Sequence, residues 1–211
     1  MKKTFKLALV ILLHIVCLSN ISAQEKPVTL GVRAGINLSS FTAKLTDSNL
    51  GAINSRAGFM IGVTTDFALT ERCYILTGID FASKGVREKR KTNDINIGAM
   101  YMLMPIHFGY KFQMDYSPAF LFRFGPYLGY GVAGKAKNKT TNEKVDTFQS
   151  EGYKKFDYGL GIGFGTEIPL DMFDSGAIVV EAGFNLGLAD ISEIGEKVKT
   201  RDLFLTVGYK F

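Results

Sequence analysis

The feature that most limits what this chain can fold into is a strict alternation of apolar with small or polar residues, repeated in eight segments. In YGLGIGFGTEI, residues 158–168, one side carries Tyr158, Leu160, Ile162, Phe164 and Ile168; the other carries Gly159, Gly161, Gly163, Gly165 and Glu167. A period of two is that of a β-strand with one apolar face. The glycines do not make a phosphate loop. A dinucleotide fingerprint needs G-x-G-x-x-G opening a helix, and a P-loop needs Lys-Ser/Thr behind its last glycine. This stretch has neither.

The same parity runs through residues 28–38, 57–69, 73–84, 100–112, 119–133, 177–188 and 202–211. In the first of these, Val28, Leu30, Val32, Ala34, Ile36 and Leu38 oppose Thr29, Gly31, Arg33, Gly35 and Asn37. In 100–112, Met102, Met104, Ile106, Phe108, Tyr110 and Phe112 oppose His107, Gly109 and Lys111. Strands of soluble sandwiches average about five or six residues. These segments run to roughly 10–14, which suits strands of about 9–11 residues tilted across a bilayer. Closure then removes the sheet edges that hydrocarbon cannot satisfy. The expected fold is all-β, an eight-stranded antiparallel up-and-down transmembrane β-barrel. Its apolar faces should contact lipid. Its inner glycines should make room for bulky neighbours such as Arg123 and Tyr127, because eight strands enclose space only for side chains.

The ends and connections fit this expectation. Lys2, Lys3 and Lys6 precede an apolar run from Leu7 to Leu18 and a small-residue end at Ser22-Ala23. This reads as a cleaved signal peptide over 1–23, leaving 24–211 as the barrel domain. The run is too short to span a bilayer as a helix. Short connections at 70–72, 113–118 and 169–176 alternate with long ones near 40–56, 85–99, 134–155 and 189–201, the pattern of a barrel with both termini in the periplasm. There is no tryptophan, so aromatic belts must come from Tyr and Phe; Phe67, Tyr110, Phe112, Tyr209 and Phe211 gather at one rim. Val207, Tyr209 and Phe211 on the closing strand are the expected assembly signal for the barrel-insertion machinery.

The leader ending SAQ, the opening strand LGVRAGINLSSF, FASKG, YMLMPIHFGYKF and the closing YKF, in this order and spacing, resemble the PorT family of Bacteroidetes outer-membrane β-barrels. The resemblance covers essentially all of 24–211 and implies an eight-stranded barrel. The family's named member is implicated in secretion of surface proteins, a role not carried over here. His107 stands where much of the family has an aliphatic residue, so no known site transfers.

The inner faces place Arg33, Asp66, Asp80, His107, Lys111, Arg123, Glu167, Glu181 and Lys210 in the interior. The half near the termini holds three acids, Asp66, Glu167 and Glu181, and three bases, Lys111, Arg123 and Lys210. Burying an unpaired charge costs several kcal/mol, so a closed ion-pair network is expected, with Arg123 near Glu167. An open pore generally needs about 16 strands, so a general porin is not expected. An ion or proton path is the competing reading of these charges.

Catalysis needs a nucleophile, a base and an orienting group within reach. His107 is the one histidine after the leader and points inward; it is expected to be a hydrogen-bonded core residue, and no enzyme activity is expected. No cofactor or metal is expected, since no second His or Cys lies beside His107 and Cys73 starts a strand on the lipid side. One cysteine after the leader excludes an internal disulfide framework.

The formal charge of +5 loses three leader lysines and no acid, leaving +2, so nucleic acid is not an expected partner. The long connections around GVREKRKTND and 134–155 are net basic. They point to lipid and lipopolysaccharide at the cell surface of a diderm bacterium as partners. The expected role is a structural or interaction barrel of the outer membrane. The alternatives are a component of a surface-protein secretion system, with a secretion-complex or surface-protein partner, and a narrow transporter of a small solute.

Overall fold

The structure, a computed structural model, describes residues 27–43, 52–89, 94–112, 118–138, 144–145, 148, 153–170, 176–192 and 197–211. The expected signal peptide lies outside the described residues, as do most of the basic side chains of 85–94 and 139–151. Eight long strands form the wall: β1 (Val28–Ala43), β2 (Ala52–Ala68), β3 (Cys73–Lys89), β4 (Asp94–Phe112), β5 (Ala119–Asn138), β7 (Phe156–Leu170), β8 (Gly176–Gly187) and β9 (Val198–Lys210). A two-residue strand, β6 (Lys144–Val145), pairs with Ala136 and Lys137 of β5.

Each wall strand pairs antiparallel with its chain neighbours, and β1 pairs with β9, so the ring has no free edge. Ala34, for example, sits between Ile61 of β2 and Val207 of β9. Every ladder hydrogen bond is thereby met within the sheet, the condition for crossing hydrocarbon with strands. The alternation read from the sequence fixes which side faces out. Ile36, Phe164 and Val207 are more than half exposed on the outer wall, whereas Arg33, Asp80, Arg123 and Glu181 are buried on the inner one.

Two expectations are corrected. The strands run to 12–20 residues, longer than the alternating segments, and the expected loop at 85–99 is mostly hairpin: Lys89 pairs with Asp94. Outward apolar residues mark only the lipid band. Beyond it the backbone continues to pair, as Gly85 does with Gly98 and Val86 with Ile97, while the outward face no longer has to be apolar, which erases the signal without ending the strand. The parity also slips at the far end of β5. There the register shifts opposite Met100 and Tyr101, and Val132 and Ala133 are both exposed.

The second correction concerns the inner face, read as small or charged. Met60, Ala82, Ala99, Tyr101, Leu103, Tyr127 and Phe204 form a buried apolar cluster inside the ring, with Phe148 packed against it. A smaller cluster of Phe41, Ile97, Ala189 and Ile191 lies at the end opposite the termini. An eight-stranded interior is dry enough to be filled like a core.

Candidate functional site

The inner wall carries its charges in layers. At the end bearing the termini, Lys210 Nζ lies 2.5 Å from Asp66 Oδ2 and 2.7 Å from Glu167 Oε2, while Lys111 Nζ donates to Glu167 Oε1 at 2.8 Å. The Tyr74 ring lies near both ammonium groups, 5.7 Å from Lys111 and 5.5 Å from Lys210. Next along the barrel come two arginine pairs. Arg33 donates from Nε and Nη2 to both oxygens of Asp80, at 2.8 and 2.5 Å, and Arg123 Nη2 donates to Glu181 Oε1.

Glycines make this crowding sterically possible. A β-carbon on Gly163 would lie 2.6 Å from Glu181 Oε1 and 3.0 Å from Arg123 Nε; one on Gly161 would lie 2.7 Å from both His107 Nε2 and Asn185 Oδ1. The glycine-rich face of 158–168 is thus where long side chains from β4, β5 and β8 overlie a neighbouring backbone.

The structure brings the nine interior residues read from the sequence into the lumen but changes one pairing. Arg123 meets Glu181, and Glu167 meets the two lysines instead. Parity decides which face a residue takes. Strand tilt and stagger decide its level in the barrel, and the sequence does not display them. A double-mutant cycle separates the pairings: Arg123→Ala with Glu181→Gln should show coupling of roughly 1–3 kcal/mol in unfolding free energy, and Arg123→Ala with Glu167→Gln should be nearly additive. Equal coupling in both cycles would contradict this geometry.

His107 is also corrected. It is buried at 3% exposure, but neither ring nitrogen has a hydrogen-bond partner among the described residues. The neighbouring Asn185 directs its Nδ2 to Asp202 Oδ2 at 3.4 Å.

A further cluster escaped the sequence reading. Lys84 Nζ lies 3.2 Å from Asp157 Oδ2, with both side chains fully buried. Asp157 Oδ2 also accepts from Thr200 Oγ1 at 3.0 Å and Tyr127 OH at 3.2 Å. The Lys84 ammonium lies 4.9 Å from the Tyr127 ring centroid and 5.5 Å from that of Tyr101. Asp202 accepts from Asn37 Nδ2 at 2.7 Å. The inner parity of Asp157 and Asp202 was legible. Lys84 shares its parity with Asp80, and that was the available signal for placing it inside.

Above this layer, the connection between β8 and β9 is tied down. Asp190 accepts from the backbone N–H groups of Ser192 and Val198, both at 3.1 Å, which holds its carboxyl below the usual range. Among the described residues no group of His, Cys, Asp and Glu could hold a metal ion.

A closed antiparallel ring with an apolar band around its outer wall and a charged, filled interior defines an integral β-barrel of the bacterial outer membrane. The sequence agrees: residues 22–193 match the outer membrane protein beta-barrel domain family, and the chain belongs to that family. It is therefore an outer-membrane protein. No curated protein matches the sequence.

Among solved structures, Neisserial surface protein A is similar at 13% identity and a TM-score of 0.47, over 86% of this chain and 97% of that one. Ail, the attachment invasion locus protein of Yersinia pestis, is similar at 13% identity and a TM-score of 0.42, over 87% and 99%. OprG from Pseudomonas aeruginosa is similar at 14% identity and a TM-score of 0.36, over 87% and 95%.

Proposed function

We propose that this chain is a non-catalytic structural or interaction barrel, plugged by its own side chains and presenting a basic rim to the cell surface. The observation that carries the reading is the filling of the lumen. Arg123, Tyr101, Tyr127 and Lys84 are each at most 2% exposed, and two cavities that described inner-wall residues line measure about 30 and 10 Å³. A space of that size admits single water-sized particles rather than a stream of solute. His107 offers no reacting pair, since neither ring nitrogen hydrogen-bonds a hydroxyl or thiol among the described residues.

In this reading residues 1–23 are the cleaved leader and 24–211 the barrel, both termini face the periplasm, and Val207, Tyr209 and Phe211 direct assembly. The far end then faces outward. It exposes Lys135, Lys154, Lys155, Lys197, Lys199 and Arg201, a set suited to the phosphates of lipopolysaccharide. The finer resemblance to the PorT family of Bacteroidetes belongs to the same proposal. Participation in a surface-protein secretion complex is the second reading, and that resemblance is what favours it.

Reconstitution into planar bilayers tests the plug. The expected result is no defined conductance step in molar KCl. Steady, uniform openings would overturn the reading in favour of the narrow transporter.

A further inference from the structure

The outward row of β9 changes character partway along the strand. Thr200, Asp202, Phe204 and Thr206 are buried inside the ring, while Lys199, Arg201, Leu203, Leu205 and Val207 are exposed outside it. The row passes from three apolar residues to two cations with no break in the pairing of β9 to β1. Arg201 stands ten residues before Phe211. At about 3.3 Å per residue and a tilt near 40°, that separation is roughly 25 Å along the barrel axis, the height of the apolar band of an outer-membrane barrel. With Tyr209 and Phe211 at the terminal edge of the band, Arg201 stands at the opposite edge and Lys199 one step beyond, at the level of lipid headgroups.

Among the described residues neither cation is engaged by an acid. Their ladder partners are uncharged: Thr42 lies opposite Lys199, and Ser40 and Leu186 flank Arg201. Asp190 is an acid of this end, but its carboxylate accepts from the Ser192 and Val198 N–H groups, and the cations acting on it are Lys154 and Lys197. Residues two apart on one strand face stand about 7 Å apart, a spacing that two long cationic side chains close around a single phosphate. Arginine brings a planar fork matched to two phosphate oxygens, and lysine brings a point charge. Below them the apolar surface continues onto β1, where Leu38 pairs with Leu203 and Ile36 with Leu205, all four about half exposed or more. A ligand that fits both parts has a phosphate joined to acyl chains. A soluble anion would use only the first part, and a soluble protein would have to displace lipid from the second.

We infer that Lys199 and Arg201 together hold the phosphate of one outer-leaflet lipid, whose acyl chains lie along Leu203 and Leu205 of β9 and Ile36 and Leu38 of β1. This rests on the outward-facing basic rim proposed above and narrows it to two side chains at the lipid boundary of one flank.

The test is native mass spectrometry of the full barrel refolded in a neutral detergent, with lipid A, the phosphorylated anchor of lipopolysaccharide, as the probe. The wild-type barrel should retain one lipid A per chain, and dephosphorylated lipid A with the same acyl chains should be retained several-fold less. Lys199→Gln with Arg201→Gln should lower retention of lipid A several-fold, whereas Lys135→Gln with Lys155→Gln should leave it unchanged. Equal retention of the two lipids would show apolar adhesion alone and would overturn the inference. So would displacement of lipid A by an equal concentration of inorganic phosphate, the mark of a site for the free ion. If the Lys135 and Lys155 pair matters as much as the β9 pair, the basic rim stands and the localised site falls; if neither pair matters, both readings fall. Should the β9 double variant fail to fold, the comparison of the two lipids on the wild-type barrel decides.

Discussion

Lys84→Met should be among the most damaging single substitutions in this barrel, lowering its unfolding free energy by about 3–5 kcal/mol, the usual cost of removing one member of a buried ion pair. Methionine keeps most of the volume and can still pack on Tyr101 and Tyr127, so packing changes little. What is lost is the cation 3.2 Å from Asp157, a carboxylate with no access to solvent. The hydroxyls of Thr200 and Tyr127 would still donate to it, but neutral donors do not compensate a buried charge. Urea unfolding of the refolded protein in lipid vesicles measures the loss. Adding Asp157→Asn to Lys84→Met should recover a large part of it. A loss below about 1 kcal/mol would mean that water reaches this layer and screens the pair.

The second large effect is expected in cells rather than in the folded state. Phe211 is 57% exposed, stacks edge-on against Tyr209 at 5.1 Å, and donates its backbone N–H to Leu30 O at 2.9 Å. Full burial of a phenylalanine side chain is worth about 1.5–3 kcal/mol, and a half-exposed ring contributes less. Phe211→Ala keeps the backbone bond, so refolded protein should lose only a fraction of that figure. If Val207, Tyr209 and Phe211 are read during insertion, before β1 and β9 pair, the same variant should be several-fold depleted from the outer membrane. Quantitative immunoblotting of membrane fractions, beside unfolding in detergent, separates the two effects. Unchanged abundance would remove this segment as the assembly signal.

The fold was legible because hydrocarbon imposes a simple rule: outward residues must be apolar, and the chain obeys it across the middle of each wall strand, as at Ile36, Phe164 and Val207. The strand ends were not, because residues 82–89 and 94–101 have left the lipid band and no longer need to alternate in hydrophobicity. For the interior, parity alone named Arg33, Asp80, Arg123 and Glu181 correctly as lumenal. It could not say that Arg123 stands level with Glu181 and not with Glu167. That depends on how far each strand is staggered against the next, a property of ring closure and not of any segment.

Phe148 was beyond reach for a different reason. It belongs to the connection after β5, and its packing at 5.9 Å from Tyr101 is set by a chain path that no periodicity encodes. His107 shows a further limit, since hydrogen bonding of a buried group depends on which neighbours have already committed their atoms elsewhere.

The uneven strand lengths have a mechanical consequence. β5 contains 20 residues and β4 contains 19, against 12 in β8. At about 3.3 Å per residue and a tilt near 40°, β5 rises roughly 50 Å along the barrel axis, about twice the apolar band of an outer-membrane barrel. The wall is therefore a slanted palisade, tall along β3 to β5 and low along β8 and β9. At the top of the tall side Lys89 pairs with Asp94, so the described end of β3 and β4 is held by ladder hydrogen bonds rather than by a tether. Among the described strands the end opposite the termini is therefore braced unevenly: a load on that end would be carried by the stiff flank of β3 to β5 rather than shared by a symmetric crown.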